Sequence, residues 1–140
     1  MPHLIVEYSA GVVDVVPAQR LVDAVHDAAL ATGVAAVDAL RTRAEPRDVY
    51  AVADRHPDNQ FVAITARLGP GRSDGDVERL LSAVLDAVEQ CLGDACRHLM
   101  LSAEVQEIDP ARRINRNHLR AAVRARATDD PDGSPERRGA

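Results

Sequence analysis

The segment RLVDAVHDA, residues 20–28, returns 59 residues later in the chain as RLLSAVLDA, residues 79–87, with identical residues at six of the nine positions. Both copies repeat apolar residues at three- and four-residue spacing, which is typical of an amphipathic helix. The match predicts that the chain contains two copies of one helix-containing unit. Because two helices rich in Ala, Leu and Val can also match by chance, the elements on either side of each copy have to be compared.

Each copy of the helix lies between two segments with the apolar character of strands. The first half has a strand over 2–8, a helix over 17–31 that ends at Gly33 and a strand over 37–43; the second has a strand over 60–68, a helix over 74–92 and a strand over 98–108. A crossover helix joins strands that run parallel, so each half predicts a β-α-β unit. We expect an α/β (α+β) fold built from two fused units, at about 2–58 and 59–108.

The C-terminal part of the chain differs in composition from both halves. A short helix is predicted over 117–126, with an arginine stripe formed by Arg113, Arg116, Arg120 and Arg124. Such a stripe is typical of a solvated face or of a contact with acidic neighbours. Residues 127–140 are polar and rich in turn-forming residues, which predicts a disordered tail. We expect residues 1–126 to form a single domain.

Composition excludes several classes of function. The net charge is −5 and no segment has the roughly 18 consecutive apolar residues of a membrane span, so we expect neither a nucleic-acid nor a membrane partner. The first residues lack a secretion signal, which favours a cytoplasmic protein that handles small molecules. Cys91, Cys96 and His98 do not have the paired spacing of a zinc site, and we expect reduced thiols and no metal.

Pro2 is the first candidate for chemistry. Removal of Met1 would expose its ring nitrogen as a secondary amine, and all seventeen basic residues of the Lys+Arg count are arginine, so no lysine competes with it. An α-amino group titrates at about 7.7–8.0, and burial or nearby cations lower that pKa, which suits a general base at neutral pH. At the 59-residue offset Pro2 aligns with Phe61, so only the first half can supply the amine.

Two arginine positions could hold an anionic substrate. Arg41 and Arg43 lie on the second predicted strand, and Arg72 lies in Gly69-Pro70-Gly71-Arg72-Ser73 before the second helix. A guanidinium binds a carboxylate with two parallel donors and can stabilise a developing enolate. A proline base between such groups would suit a keto–enol isomerase.

These motifs together resemble one enzyme family. The segment Pro2–Ser9, then Ala31-Thr32-Gly33, Leu40-Arg41-Thr42-Arg43, Ala53-Asp54 and Gly69-Pro70-Gly71-Arg72-Ser73 are similar to 5-carboxymethyl-2-hydroxymuconate delta-isomerases of the tautomerase superfamily. The resemblance runs from Pro2 to about Ala122. The chain departs from the family pattern in Arg113-Ile114-Asn115-Arg116-Asn117-His118, where family members often carry an aromatic residue after an asparagine.

The resemblance implies a tautomerase-like homotrimer of fused β-α-β pairs. It implies that Pro2 is the catalytic base and acid, that Arg41 and Arg72 bind the carboxylates of a small anionic muconate-type substrate, and that no cofactor is needed. The enzyme would be an intramolecular oxidoreductase that transposes C=C bonds in the breakdown of homoprotocatechuate, an aromatic compound. The alternatives are another tautomerase, a dehalogenase or a hydratase acting on a different unsaturated acid, or a trimeric binding protein without activity.

Overall fold

Four strands form one mixed sheet in the computed structural model, which describes residues 2–129. The strands are β1 (His3–Ser9), β2 (Arg41–Arg47), β3 (Gln60–Leu68) and β4 (Leu99–Glu107). Helix α1 (Ala18–Ala31) connects β1 to β2, helix α2 (Asp74–Leu92) connects β3 to β4, and a short helix α3 (Leu119–Asp129) follows the sheet. Single 3-10 turns lie at Ala10–Asp14, Gly93–His98 and Pro110–Arg112.

The order of strands across the sheet is β2-β1-β3-β4. Strand β1 pairs with β2 in parallel, β3 pairs with β4 in parallel, and β1 and β3 meet antiparallel at the centre. Each half is therefore a β-α-β unit, and the two units are joined into one sheet through their first strands. This arrangement confirms the fold predicted from the repeat.

Both long helices cover the same face of the sheet. On β1 the buried residues alternate with partly exposed ones, because successive side chains of a strand point to opposite faces. The buried residues of the two helices also occupy equivalent repeat positions: Leu21 and Leu80, Val25 and Val84, Ala29 and Val88. The core between helices and sheet is aliphatic, and the opposite face of the sheet carries the charged residues of β1 and β2.

The repeat alignment has one error at the first strands. Arg41 lies level with His3, whereas Met100, 59 residues further along, lies level with Phe61. His3 is therefore equivalent to Phe61, and Pro2 is equivalent to Gln60 rather than to Phe61 as predicted. The offset changes because the connection from strand to helix is one residue longer in the second half. Such a one-residue difference matters, since it would place every side chain of the strand on the other face of the sheet.

The predicted ends of the helices and strands lie close to the observed ones except at β2. Residues 37–40 were expected in this strand, but the amides of Ala39 and Leu40 both donate to the carbonyl of Ala36 at 3.0 Å, so they form a turn. Helix α1 ends before Gly33, which has a left-handed φ of 72° and stops the helix as predicted. Residues 127–129 belong to α3, and the rest of the predicted disordered tail, residues 130–140, lies outside the described residues.

Candidate functional site

Pro2 lies at the end of the sheet where β1 begins. Its side chain is buried, and its carbonyl accepts a hydrogen bond from the amide of Arg41 at 3.2 Å. That bond fixes the main chain of Pro2 against the first residue of β2. The parallel pairing predicted for the first half thus brings two of the three predicted site residues next to each other.

Arg41 is exposed at the start of the edge strand β2. Its Nη2 atom lies 3.5 Å from Oδ1 of Asn115, a residue in the segment between β4 and α3. This bond is long and leaves most of the five N–H donors of the guanidinium for other partners. Arg41 can therefore present its side chain to an anion at this end of the sheet.

Arg72 lies at the same end of the sheet. Strand β3 runs antiparallel to β1, so the loop that follows Leu68 emerges at the end where Pro2 lies. The guanidinium of Arg72 is half-buried and donates to two main-chain carbonyls, to that of Gly69 at 2.9 Å and to that of Val34 at 3.4 Å. These bonds hold the side chain in one position and use only part of its donor set.

His3 and three arginines form a cluster beside Pro2. Across the sheet, His3 lies level with Arg41 on β2 and with Arg67 on β3, and its Nδ1 lies 3.3 Å from Nη1 of Arg43. Burial and, to a smaller extent, the positive charges of Arg41, Arg43 and Arg67 together lower the pKa of His3 to about 4. His3 is therefore neutral at pH 7, and its Nδ1 can accept the proton that Arg43 donates.

A cavity of about 320 Å³ opens next to Arg41, between residues 37–41 and residues 115–119. The side-chain amide of Asn117 donates to the carbonyl of Asp38 at 2.7 Å. The Asp38 carboxylate, which is 12% exposed, pairs with Nε of Arg120 at 3.1 Å and with Nε of Arg124 at 3.6 Å. Asp38 therefore ties α3 and the segment before it to the loop that leads into β2.

Other charged groups on the open face of the sheet, the face opposite the helices, form ion pairs with one another. Arg47 contacts Glu7 at 2.7 Å and Glu45 at 2.8 Å, and Glu45 also lies 3.7 Å from Nε of Arg43. Glu7 is thus an ion-pair partner of Arg47. Between residues 2 and 129, no group of three or more His, Cys, Asp or Glu side chains could hold a metal ion, and the two cysteines are unpaired.

Three features of this region were missed by the sequence analysis. The alternation of β3 indicates that Arg67 lies on the partly exposed face of the sheet. Its position opposite His3, however, depends on the register between β1 and β3. The contacts of Asp38 with α3 join residues about 80 positions apart, which no local pattern indicates. His26 on α1 is half-buried, and its Nδ1 lies 2.8 Å from Oγ1 of Thr42 on β2.

Comparison with known proteins connects this geometry to one family. Residues 2–123 match the family described as 5-carboxymethyl-2-hydroxymuconate isomerase. An Escherichia coli protein named 5-carboxymethyl-2-hydroxymuconate Delta-isomerase is 27% identical over 123 residues, which are 86% of this chain and 98% of the relative.

Solved structures share the fold. The crystal structure of a 5-carboxymethyl-2-hydroxymuconate isomerase from Deinococcus radiodurans R1 matches with a TM-score of 0.74 and 29% identity, over 87% of this chain and 93% of the other. A structure described as a fused 4-OT wild-type symmetric trimer matches with a TM-score of 0.59 and 19% identity, over 81% of this chain and 94% of the other. At that identity the second likeness concerns the fold alone. No helix within residues 2–129 is both long and apolar enough to cross a membrane.

Proposed function

This chain belongs to the 5-carboxymethyl-2-hydroxymuconate isomerase family of the tautomerase superfamily, and from that premise we propose that it moves a proton on an unsaturated di- or tricarboxylate, with Pro2 as general base and acid. The reaction shifts C=C bonds within one molecule, so the enzyme is an intramolecular oxidoreductase. The observation that carries the proposal is that Pro2, the first residue of β2 (Arg41) and the loop of Arg72 all lie at one end of the sheet.

The chemistry requires a free ring nitrogen at Pro2. The sequence begins with Met1, and while that residue is attached the nitrogen is an amide without an available lone pair. After removal of Met1 the amine would lie at the end of the sheet that also carries Arg41 and Arg72, and nearby positive charge favours its neutral form. We therefore expect a pKa below the usual 7.7–8.0, so that the amine is a base at neutral pH.

The proton is moved and then returned. The neutral amine of Pro2 takes the proton of the substrate enol, the electron pair left on oxygen forms the carbonyl, and the double bonds shift along the conjugated chain. The protonated amine then gives the same proton to a carbon at the other end of that chain. Atoms and charge balance without any cofactor, because substrate and product are isomers. Arg41 and Arg72 bind the carboxylates and stabilise the negative charge that develops between the two steps.

A homotrimer fits the shape of the subunit. Strands β2 and β4 are the edges of the sheet and leave main-chain donors and acceptors without a partner strand within residues 2–129. Unpaired edges of this kind are commonly covered by another chain. The fused 4-OT structure that shares the fold is described as a trimer. We further propose that the enzyme acts in the cytoplasm, in the breakdown of homoprotocatechuate, as the family resemblance implies.

The experiment for this proposal is a one-residue extension. A chain engineered to begin Met-Gly-Pro loses only its methionine, and the added glycine then turns the Pro2 nitrogen into an amide. We expect the extended enzyme to lose at least a hundredfold in kcat on 5-carboxymethyl-2-hydroxymuconate, within the roughly 10²–10⁴ that a positioned acid–base group contributes. Full activity of a chain whose extension is verified by mass spectrometry would exclude the mechanism.

Arginine variants separate catalysis from a scaffold role. Arg41→Ala and Arg72→Ala should each lower kcat/KM by roughly 10- to 100-fold, since a charge-assisted hydrogen bond contributes about 1.5–3 kcal/mol. If both variants kept their kcat/KM and only weakened the oligomer, the chain would be a trimeric binding protein. Faster turnover of a simple enol such as hydroxyphenylpyruvate than of the muconate would favour another tautomerase activity.

A further inference from the structure

We propose that Asn115 is a positioning residue for Arg41, and that Asn117 anchors the segment on which Asn115 lies. The inference rests on the proposed function, in which Arg41 binds a substrate carboxylate. It gives a role to residues 113–118, where the sequence departs from the family pattern. The contacts that carry it lie within one chain, so they do not depend on how subunits associate.

The first contact holds the side chain of Arg41. Nη2 of Arg41 donates to Oδ1 of Asn115 at 3.5 Å. An amide oxygen is a neutral acceptor, so it orients the guanidinium without cancelling its charge. Arg47 differs, because Glu7 and Glu45 contact its Nη2 at 2.7 Å and 2.8 Å, and an anion would have to compete with both carboxylates. Asn115 therefore restricts the rotamers of Arg41 before an anion arrives, which lowers the entropy cost of binding.

The second contact holds the main chain that leads into Arg41. Nδ2 of Asn117 donates to the carbonyl of Asp38 at 2.7 Å. Asp38 lies in the turn over 36–40, and Arg41 follows this turn directly as the first residue of β2. The same segment therefore reaches Arg41 twice, through the side chain of Asn115 and, by way of Asn117, through the turn.

Asn117 is itself fixed through both ends of its side-chain amide. Its Oδ1 accepts from the amides of Leu119 and Arg120 at 3.1 Å each, so it caps the start of α3. Residues 113–117 belong to no helix or strand, and these bonds tie the end of that stretch to α3 and to the turn before β2. Asn117 thus determines where Asn115 lies relative to Arg41.

The cavity of about 320 Å³ gives an anion room at this contact. Arg41 and Asn115 both line it, one from each wall. A carboxylate that enters the cavity would therefore meet the guanidinium in the orientation that Asn115 sets.

The kinetic test removes the acceptor. Asn115→Leu keeps the branched shape of the side chain and should lower kcat/KM for 5-carboxymethyl-2-hydroxymuconate by roughly 3- to 10-fold, mostly through KM, as expected for loss of one weak hydrogen bond. Asn115→Gln keeps an amide oxygen and should recover part of this loss. Gln19→Leu is the control, because Gln19 is an exposed amide in the first turn of α1, and it should change neither kcat nor KM.

A double-mutant cycle shows whether Asn115 acts through Arg41. In the Arg41→Ala background, Asn115→Leu should change kcat/KM by less than about twofold, because the group that it positions is gone. Losses that multiply in the double variant would refute the positioning role. So would an unchanged kcat/KM in Asn115→Leu, or a variant that only lowered the melting temperature.

The anchor is tested in the same way. Asn117→Ser keeps a hydroxyl that can cap α3 and loses the donor to Asp38. It should raise KM in the wild-type background and leave KM unchanged in Arg41→Ala. An equal rise in both backgrounds, or none in either, would refute the role of Asn117 as the anchor.

Calorimetry with adipate, an unreactive saturated dicarboxylate, keeps the two proposals apart. Asn115→Leu should weaken adipate binding by roughly 3- to 10-fold, and this difference should vanish in the Arg41→Ala background. If the wild type turned over no enol substrate but showed this coupling, the proposed function would fail and the positioning role would stand. If it turned over the muconate while neither adipate binding nor kcat/KM responded to Asn115→Leu, the positioning role would fail and the proposed function would stand.

Discussion

Asp38→Asn should loosen α3 and widen the cavity beside Arg41 without unfolding the sheet. The change keeps the size of the side chain and removes the charge that meets Nε of Arg120 at 3.1 Å and Nε of Arg124 at 3.6 Å. Helix α3 has no buried residues, and Asp38 holds it through these two ion pairs, while Asn117 just before the helix donates to the carbonyl of Asp38. The loss should therefore appear as local opening of α3.

The size of the effect follows from exposure. The Asp38 side chain is 12% exposed, while those of Arg120 and Arg124 are 49% and 72% exposed, so solvent screens both pairs from one side. Exposed pairs contribute about 0.2–1 kcal/mol each, which gives about 1 kcal/mol for the two. At room temperature this corresponds to a roughly fivefold loss of hydrogen-exchange protection in α3. The loss should shrink at 1 M salt, where the charges of the wild type are already screened.

Hydrogen exchange followed by mass spectrometry resolves α3 from the sheet. Protection should fall in residues 119–129 and stay unchanged in β1 and β3, and KM should rise because residues 115–119 line the cavity. Asp27→Asn, on the exposed face of α1, is a charge-matched control and should leave α3 unaffected. The reasoning would be refuted if α3 kept its protection in Asp38→Asn, or if β1 and β3 lost protection equally.

Three further outcomes test the fold and the electrostatics. The free energy of unfolding of the wild type should rise between about pH 4 and pH 6.5, because in that window the unfolded chain binds a proton at His3 that the folded chain does not. Denaturant titrations of His3→Gln should show a weaker dependence of this free energy on pH. An equal dependence in both proteins would contradict the lowered pKa. Ser9→Ala should lower the free energy of unfolding in urea by about 1–3 kcal/mol, because it removes the buried hydroxyl that accepts from the amide of Phe61 at 2.9 Å and donates to Gln60 at 2.7 Å. A loss near zero would mean that water replaces the hydroxyl. Leu80→Ala, at a side chain that is 1% exposed, should lower the free energy of unfolding by about 2–5 kcal/mol. A smaller loss would show that the contact between helix and sheet relaxes to fill the space left by the leucine.

The elements that the sequence predicted well are those with strong local patterns. Helices α1 and α2 have apolar stripes, and α2 also has a clear start, where Oγ of Ser73 accepts the amide of Asp76. The duplicated helix motif and the crossover rule together gave the parallel pairing within each half. Periodicity and repeat order were sufficient for the architecture.

The features that could not be predicted depend on register and on distant contacts. The equivalence of Pro2 with Gln60 follows from one extra residue between strand and helix in the second half, which an ungapped alignment of the two helices cannot show. The late start of β2 follows from a turn at Ala36 whose residues have the same apolar character as a strand. The neighbours of Arg67 and of Asp38 come from other elements of the chain, so only the assembled fold identifies them.

The ionisation of Pro2 tests the central claim most directly. In mature protein labelled with ¹⁵N-proline, the resonance of the amine can be followed by NMR from pH 5 to 10 and compared with that of a synthetic peptide of residues 2–8. The account predicts a pKa in the protein below that of the peptide, because Arg41 and Arg72 lie at the same end of the sheet as Pro2 and their positive charges favour the neutral amine. A pKa equal to or above that of the peptide would contradict the role of Pro2 as the base.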